Sequence, residues 1–204
     1  MIAQKHREIL AKHLPENALE LFITYIKEHP INLKITNARS TKLGDFKAPF
    51  RGQPARISVN GDLNPYSFLI TLIHEVAHWV IWEKHKNFRN IRPHGKEWKA
   101  EYKALMEPYL TNSIFPEPLF SVYRKHMLNP KASSSSDIHL MKELKKLDLK
   151  ASQPILADLN LGAEFQFRGA HFKIMKKNRT RFLCQEMRSK RNFLIHAMAE
   201  VIPT

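Results

Sequence analysis

Between Tyr66 and Trp82 the chain reads YSFLITLIHEVAHWVIW, an almost unbroken apolar run that must be buried wherever it goes. Apolar residues at 68, 69, 72, 73, 76, 77, 80 and 81 recur with helical period, and most other positions are apolar too. Asn64 suits an N-cap and Pro65 suits the first helical turn, so the pattern predicts a buried helix from about 65 to 84. The run falls short of the roughly 20 apolar residues of a membrane span and carries Glu75 at its middle, which argues against a transmembrane reading. What needs explaining is the polar triplet inside it. His74, Glu75 and His78 form a His-Glu-x-x-His motif. Two histidines four apart share one helix face, where their ring nitrogens can meet a zinc ion at about 2.0–2.1 Å. Glu75, next in sequence to the first histidine, then suits the general base. Three separately hydrogen-bonded core residues would be the plainer reading, but one metal ion satisfies all three costly groups at once.

A catalytic zinc usually takes three protein ligands and keeps one position open. Three residues compete for the third place: His94, Glu97 and Glu101. His94 follows His78 by 16 residues, enough for the chain to leave the helix, cross the basic loop Lys84–Asn90 and return. Pro93 offers a helix start before KEWKAEYKALM, and Gly95 permits close backbone approach to a metal. His85 lies in the charged loop and reads as exposed.

The combination of HEVAH, a basic loop and His94-Gly95-Lys96-Glu97-Trp98 resembles the SprT-like family of zinc metalloproteins. Carried over by position, that resemblance implies His74, His78 and His94 as ligands to one zinc per chain, and Glu75 as base. It covers roughly residues 5–125, with short strands expected near 32–36, 43–49 and 55–60. It implies an α+β fold with a zincin-like metallopeptidase core and a small β-rich, ribbon-like C-terminal part. The implied activity is zinc-dependent endopeptidase hydrolysis of a protein substrate through a zinc-activated water. Many relatives carry a C-terminal ribbon with two cysteine pairs. Here Cys184 is the single cysteine, so a four-cysteine site within the chain is excluded.

The formal net charge of +14 implies attraction to polyanions. Between Arg168 and Arg191 nine basic residues face Glu186 alone. Lys173, Lys176, Lys177, Arg179, Arg181, Arg188, Lys190 and Arg191 are the candidate contacts to DNA or RNA, with phenylalanines interleaved. Strands there would present cations on one face and bury the aromatics on the other. The plainer reading is a solvated basic face over a small core. A nucleic-acid-binding protein with a structural or vestigial zinc site is therefore the rival function.

Hydrophobic content of 43% supports a packed core. One cysteine and an N-terminal stretch without an apolar h-region lead to the expectation of a cytoplasmic protein. The organisation expected is a metallopeptidase domain over 1–128, a Ser-rich linker over 129–137 and a basic, β-rich region over 138–204. Helices are expected at 2–13, from Pro15 to His29, at about 94–107 and at 119–127, with a charged amphipathic segment at 138–149. Cys184 reads as a buried strand residue; a partial site with His171 and His196 lacks a fourth ligand. Trp79, Trp82 and Trp98 read as anchors around the metal. The sequence leaves the oligomeric state open.

Overall fold

In the computed structural model the apolar run forms a central helix, and the N-terminal part is assembled around it. The structure describes residues 4–29, 31–39, 41–85, 91–131, 136–148 and 153–204. Parts of the expected loop at 84–90 and of the linker at 129–137 lie outside the described residues, as do residues 1–3 and Pro30. The chain is of mixed α+β class, with six α-helices and two small sheets among the described residues. It divides into two compact units, Met1–Ala132 and Ser133–Thr204.

The first unit opens with α1 (Gln4–Ala11) and α2 (Glu16–Glu28), whose Leu10, Ala18, Leu19, Phe22 and Ile23 are buried. A three-stranded sheet follows, made of β1 (Leu33–Thr36), β2 (Gly44–Lys47) and β3 (Arg56–Asn60) in the order β1-β3-β2. β1 is parallel to β3 and β2 antiparallel, with β1 and β2 at the two edges. Helix α3 (Pro65–Lys84) packs on β2 and β3. The Asn64 side chain caps it by accepting from Ser67 N–H at 2.9 Å. Ten of its residues are buried, from Phe68 to Ile81, including Thr71 and Glu75. Burial on every side is what a run this apolar requires. Helix α4 (Lys96–Met106) crosses α3 and buries Trp98, Tyr102 and Met106. It starts at Lys96 with Gly95 as N-cap, so Pro93 lies in the preceding turn and not in the helix. Helix α5 (Leu119–Met127) ends in Arg124, Lys125 and His126, which suit the negative end of its dipole.

The second unit holds α6 (Ile138–Lys145), capped by Asp137, and a five-stranded antiparallel sheet. Its strands are β4 (Glu164–Phe167), β5 (Ala170–Lys177), β6 (Arg181–Glu186), β7 (Asn192–His196) and β8 (Ile202–Pro203). They lie in the order β7-β6-β5-β4-β8. Phe165, Phe172, Ile174, Phe182, Cys184 and Ile195 alternate inward and form an entirely apolar core with Leu156, Ala197 and Val201. No described helix is long and apolar enough to cross a membrane.

Candidate metal centre

Helix α3 places His74 and His78 on one face, a turn apart, where the first turn of α4 meets it. The chain then brings His94 back against both. The three Nε2 atoms form a near-equilateral triangle, with sides of 3.1 Å (His74–His94), 3.2 Å (His78–His74) and 2.9 Å (His78–His94). Among the described residues this is the one cluster of three or more His, Cys, Asp or Glu side chains that can hold a metal ion. Hydrogen bonding alone does not account for the triangle. An imidazole Nε2 offers either one lone pair or one N–H, directed in the ring plane, so three converging nitrogens cannot all be satisfied by one another. A triangle of this size does leave a point about 2.0–2.1 Å from every corner, the length of a Zn–N bond.

The rings are also held in the state a metal needs. Burial, then the neighbouring His78 and His94, pushes the His74 pKa down to about 3. Burial and then His94 pushes that of His78 down to about 4, and burial alone lowers that of His94. All three are therefore neutral near pH 7 and present lone pairs as ligands. Trp98 forms the floor. Its ring centroid lies 4.6, 5.4 and 4.7 Å from those of His74, His78 and His94, and it is 1% exposed. Tyr102 stacks beneath Trp98 at 4.9 Å, and its hydroxyl meets that of Tyr123 at 2.8 Å. His94 itself adopts a left-handed backbone, φ 59°, an uncommon state for a residue with a side chain. Such strain collects at functional positions, where the surroundings over-determine the geometry.

Glu75 faces edge strand β2. The Phe46 backbone N–H donates to its carboxylate. A Cβ built on Gly44 would lie 2.7 Å from Glu75 Oε1, 2.8 Å from its Cγ and 2.6 Å from the Thr71 methyl. Gly44 is thus the residue that lets β2 close onto the glutamate. Burial, then the nearby Asp45 charge, raises the Glu75 pKa to about 7, with the Phe46 N–H opposing the rise. Sequence reading missed Gly44 and Phe46. The glycine between Leu43 and Asp45 was visible, but its partner lies across the sheet–helix interface.

The rival ligands face elsewhere. Glu97 is close to Lys96 at 3.7 Å, and Glu101 accepts from Lys84 at 2.6 Å. His85 is the exposed C-cap of α3. Gly95 serves its own turn, since a Cβ there would lie 2.9 Å from the Arg92 carbonyl oxygen. Trp79 and Trp82 line a cleft of about 280 Å³ between the end of α3 and the β2–β3 hairpin, so they are only partly core.

In the second unit the expected cationic face is divided. Only Lys173 stands mid-strand, 3.7 Å from the Glu164 carboxylate. Lys176, Lys177, Arg179 and Arg181 gather where β5 turns into β6. Arg188, Lys190 and Arg191 sit in the β6–β7 turn at the other end of β6. The uncharged Leu183 and Gln185 occupy the ground of β6 between the clusters. Of the interleaved aromatics Phe165, Phe172 and Phe182 are core, while Phe193 is 43% exposed. Cys184 is fully buried with its thiol pKa pushed up to about 11 by burial. His171 bonds Gln166 on the outer surface at 3.1 Å and His196 Nδ1 accepts from Met198 N–H at 3.2 Å, so the two histidines form no site with the inward Cys184.

The chain matches no family model, no curated protein and no solved structure.

Proposed function

We propose that the first unit is a zinc-dependent endopeptidase with a zincin-like core, and that His74, His78 and His94 hold the ion. The observation that carries this reading is the convergence of three neutral Nε2 atoms within 3.2 Å of one another. The resemblance of HEVAH and His94-Gly95 to the SprT-like family supports it. Zinc bound there supplies a Lewis acid for a carbonyl oxygen and lowers the pKa of a bound water toward about 7.

The chain's own residues do the rest. Trp98 and Tyr102 close the floor against solvent and fix the orientation of the imidazoles. Glu75 takes the proton of the attacking water on its carboxylate and returns it to the leaving amine. Burial raises the proton affinity of this carboxylate, which makes it a stronger base than an ordinary one. The Phe46 N–H and the missing Cβ at Gly44 hold that carboxylate against β2. The basic clusters of the second unit would recruit the enzyme to nucleic acid or to proteins carried on it.

The test is cleavage of an unfolded protein by zinc-loaded wild type and Glu75→Gln, with and without nucleic acid. The variant should retain its zinc and lose turnover by about 10²–10⁴-fold. Equal cleavage by both rejects Glu75 as base. Zinc retained with no cleavage by wild type under either condition favours the rival reading, a nucleic-acid-binding protein with a structural zinc site.

A further inference from the structure

The three-stranded sheet of the first unit has a second face, and its charge is not balanced within the protein. Residues 31–60 contain six Lys or Arg and one acid, Asp45, whose carboxylate is already taken by Lys42 at 3.0 Å. Helix α3 packs on the face carrying Gly44, Phe46, Ile57 and Val59. Because side chains alternate along strands, Lys34, Lys47, Arg56 and Ser58 belong to the opposite face. There Arg39 lies across β3, donating from Nε to Asn60 Oδ1 at 2.7 Å and from Nη1 to Ser58 Oγ at 3.1 Å. Its Nη2 is enclosed and has no hydrogen-bond partner.

Two details single this face out from an ordinary solvated surface. Lys47 and Arg56 are direct cross-strand partners, and no carboxylate pairs with either among the described residues. Like charges directly opposite each other on a sheet oppose pairing of the strands. A polyanion lying on the face reverses that sign. The second detail is the β2–β3 hairpin. Phe50 and Gln53 exchange backbone hydrogen bonds of 3.1 and 3.0 Å around Arg51-Gly52, both with positive φ (47° and 77°). This is a tight two-residue turn of the kind that matches strand twist. The tip displays Phe50 at 67% exposure, the most exposed aromatic ring among the large exposed apolar residues. The Arg51 guanidinium covers one side of the ring at 5.1 Å, which leaves the other side to a flat partner.

We infer that this face of the sheet, with Phe50 at its tip, binds single-stranded nucleic acid: Lys34, Lys47 and Arg56 meet phosphates and an unpaired base stacks on Phe50. A duplex hides the faces of its bases, so a lone exposed ring favours single strands. A lipid surface fits less well, because insertion takes a broad apolar face and here one ring stands among cations. The inference does not depend on the peptidase reading, since neither the histidines nor Glu75 takes part.

The experiment is fluorescence anisotropy of the full chain with a labelled oligo-dT of about 15 nucleotides, at 50 and 200 mM salt. Wild type should bind, more weakly at high salt. Phe50→Ala should weaken binding by roughly 5- to 150-fold at both salt concentrations, and Phe50→Trp should restore it. Lys47→Glu/Arg56→Glu should weaken binding and flatten the log–log salt slope by about 1.4. Lys176→Glu/Lys177→Glu, in the second unit, should leave the Phe50 effect intact. Thermal melts confirm that these surface variants fold. Binding unchanged in both the Phe50→Ala and the Lys47→Glu/Arg56→Glu proteins overturns the proposal. So does a duplex of equal length that binds more tightly than the single strand. Phe50-dependent binding to phosphatidylserine vesicles without oligonucleotide binding overturns it in favour of a membrane.

Discussion

The two units bury different chemistry. The core of the second is wholly apolar: phenylalanines, Ile174, Ile195, Leu156 and a neutral thiol, with every cation at a strand end or on the outer surface. The first unit buries Thr71, Glu75, Asn60 and His126, and it crowds three imidazoles, two of them from the middle of its most apolar helix, against Trp98 of α4. Burying a polar group without a partner costs about 1–3 kcal/mol in proteins, so a fold carries several only where something offsets the cost. In the first unit Asn60 is satisfied by Arg39 and the Lys42 carbonyl, and the proposed metal would offset the cost of the converging histidines. In the second the sheet serves as a scaffold, and its chemistry is confined to surface charge.

The sharpest way to break this contrast is to empty each core in turn. Phe165→Ala in the second unit and Phe68→Ala on α3 should each cost about 3–5 kcal/mol, since both rings are fully buried. Only Phe68→Ala should also weaken zinc retention, measured by elemental analysis after dialysis. Equal retention in both variants would mean that the metal site does not depend on how α3 is packed. Next in size is Gly44→Ala. The added methyl meets Thr71 and Glu75 at 2.6–2.8 Å, so overpacking should cost about 1–3 kcal/mol. Turnover should fall with it, because the carboxylate is displaced. Adding Thr71→Ser should recover stability more than activity, and calorimetry beside a cleavage assay separates the two. A glycine serving only the strand would recover both together.

The helix caps give a smaller test. Asn64→Ala and Asp137→Ala remove the N-caps of α3 and α6, and each should cost about 1 kcal/mol in a denaturant melt. The loss at Asn64, which is 5% exposed, should be the larger. Last is the response to pH. Burial, then Lys12, lowers the His13 pKa in the first unit; burial, then Arg181, lowers that of His196 in the second. A histidine depressed on folding binds its proton more readily in the unfolded chain. Its contribution is fully present above the unfolded value of 6.5 and is lost as pH falls below it. Melts of metal-free protein between pH 7.5 and 5.5 should show both units losing stability on acidification, the first more steeply because His74 and His78 are depressed as well. His13→Gln should flatten the slope of the first unit and His196→Gln that of the second.

What could be read in the sequence followed from local rules. α3 spans Pro65–Lys84 because a cap, a proline and an apolar period coincide within one stretch. α5 and the three strands near 33, 44 and 56 fall within the expected ranges for the same reason. His94 was favoured over Glu97 and Glu101 partly through resemblance, and the structure brings it within 3.1 Å of both other rings. What stayed hidden depends on register across space. That Gly44 closes on Glu75, and that Lys47 faces Arg56, are consequences of how β2 pairs with β3 and lies on α3. No local pattern encodes that pairing. The cations of the second unit were visible one by one. Their gathering at opposite ends of β6 depends on where the hairpins turn.

The most direct test is calorimetric titration of metal-stripped protein with zinc. Wild type and Glu75→Gln should each take up one ion per chain, and His74→Ala, His78→Ala and His94→Ala should each lose that tight binding. Uptake that survives all three histidine substitutions, or wild type that takes up no zinc, would contradict the assignment of the trio as a metal centre.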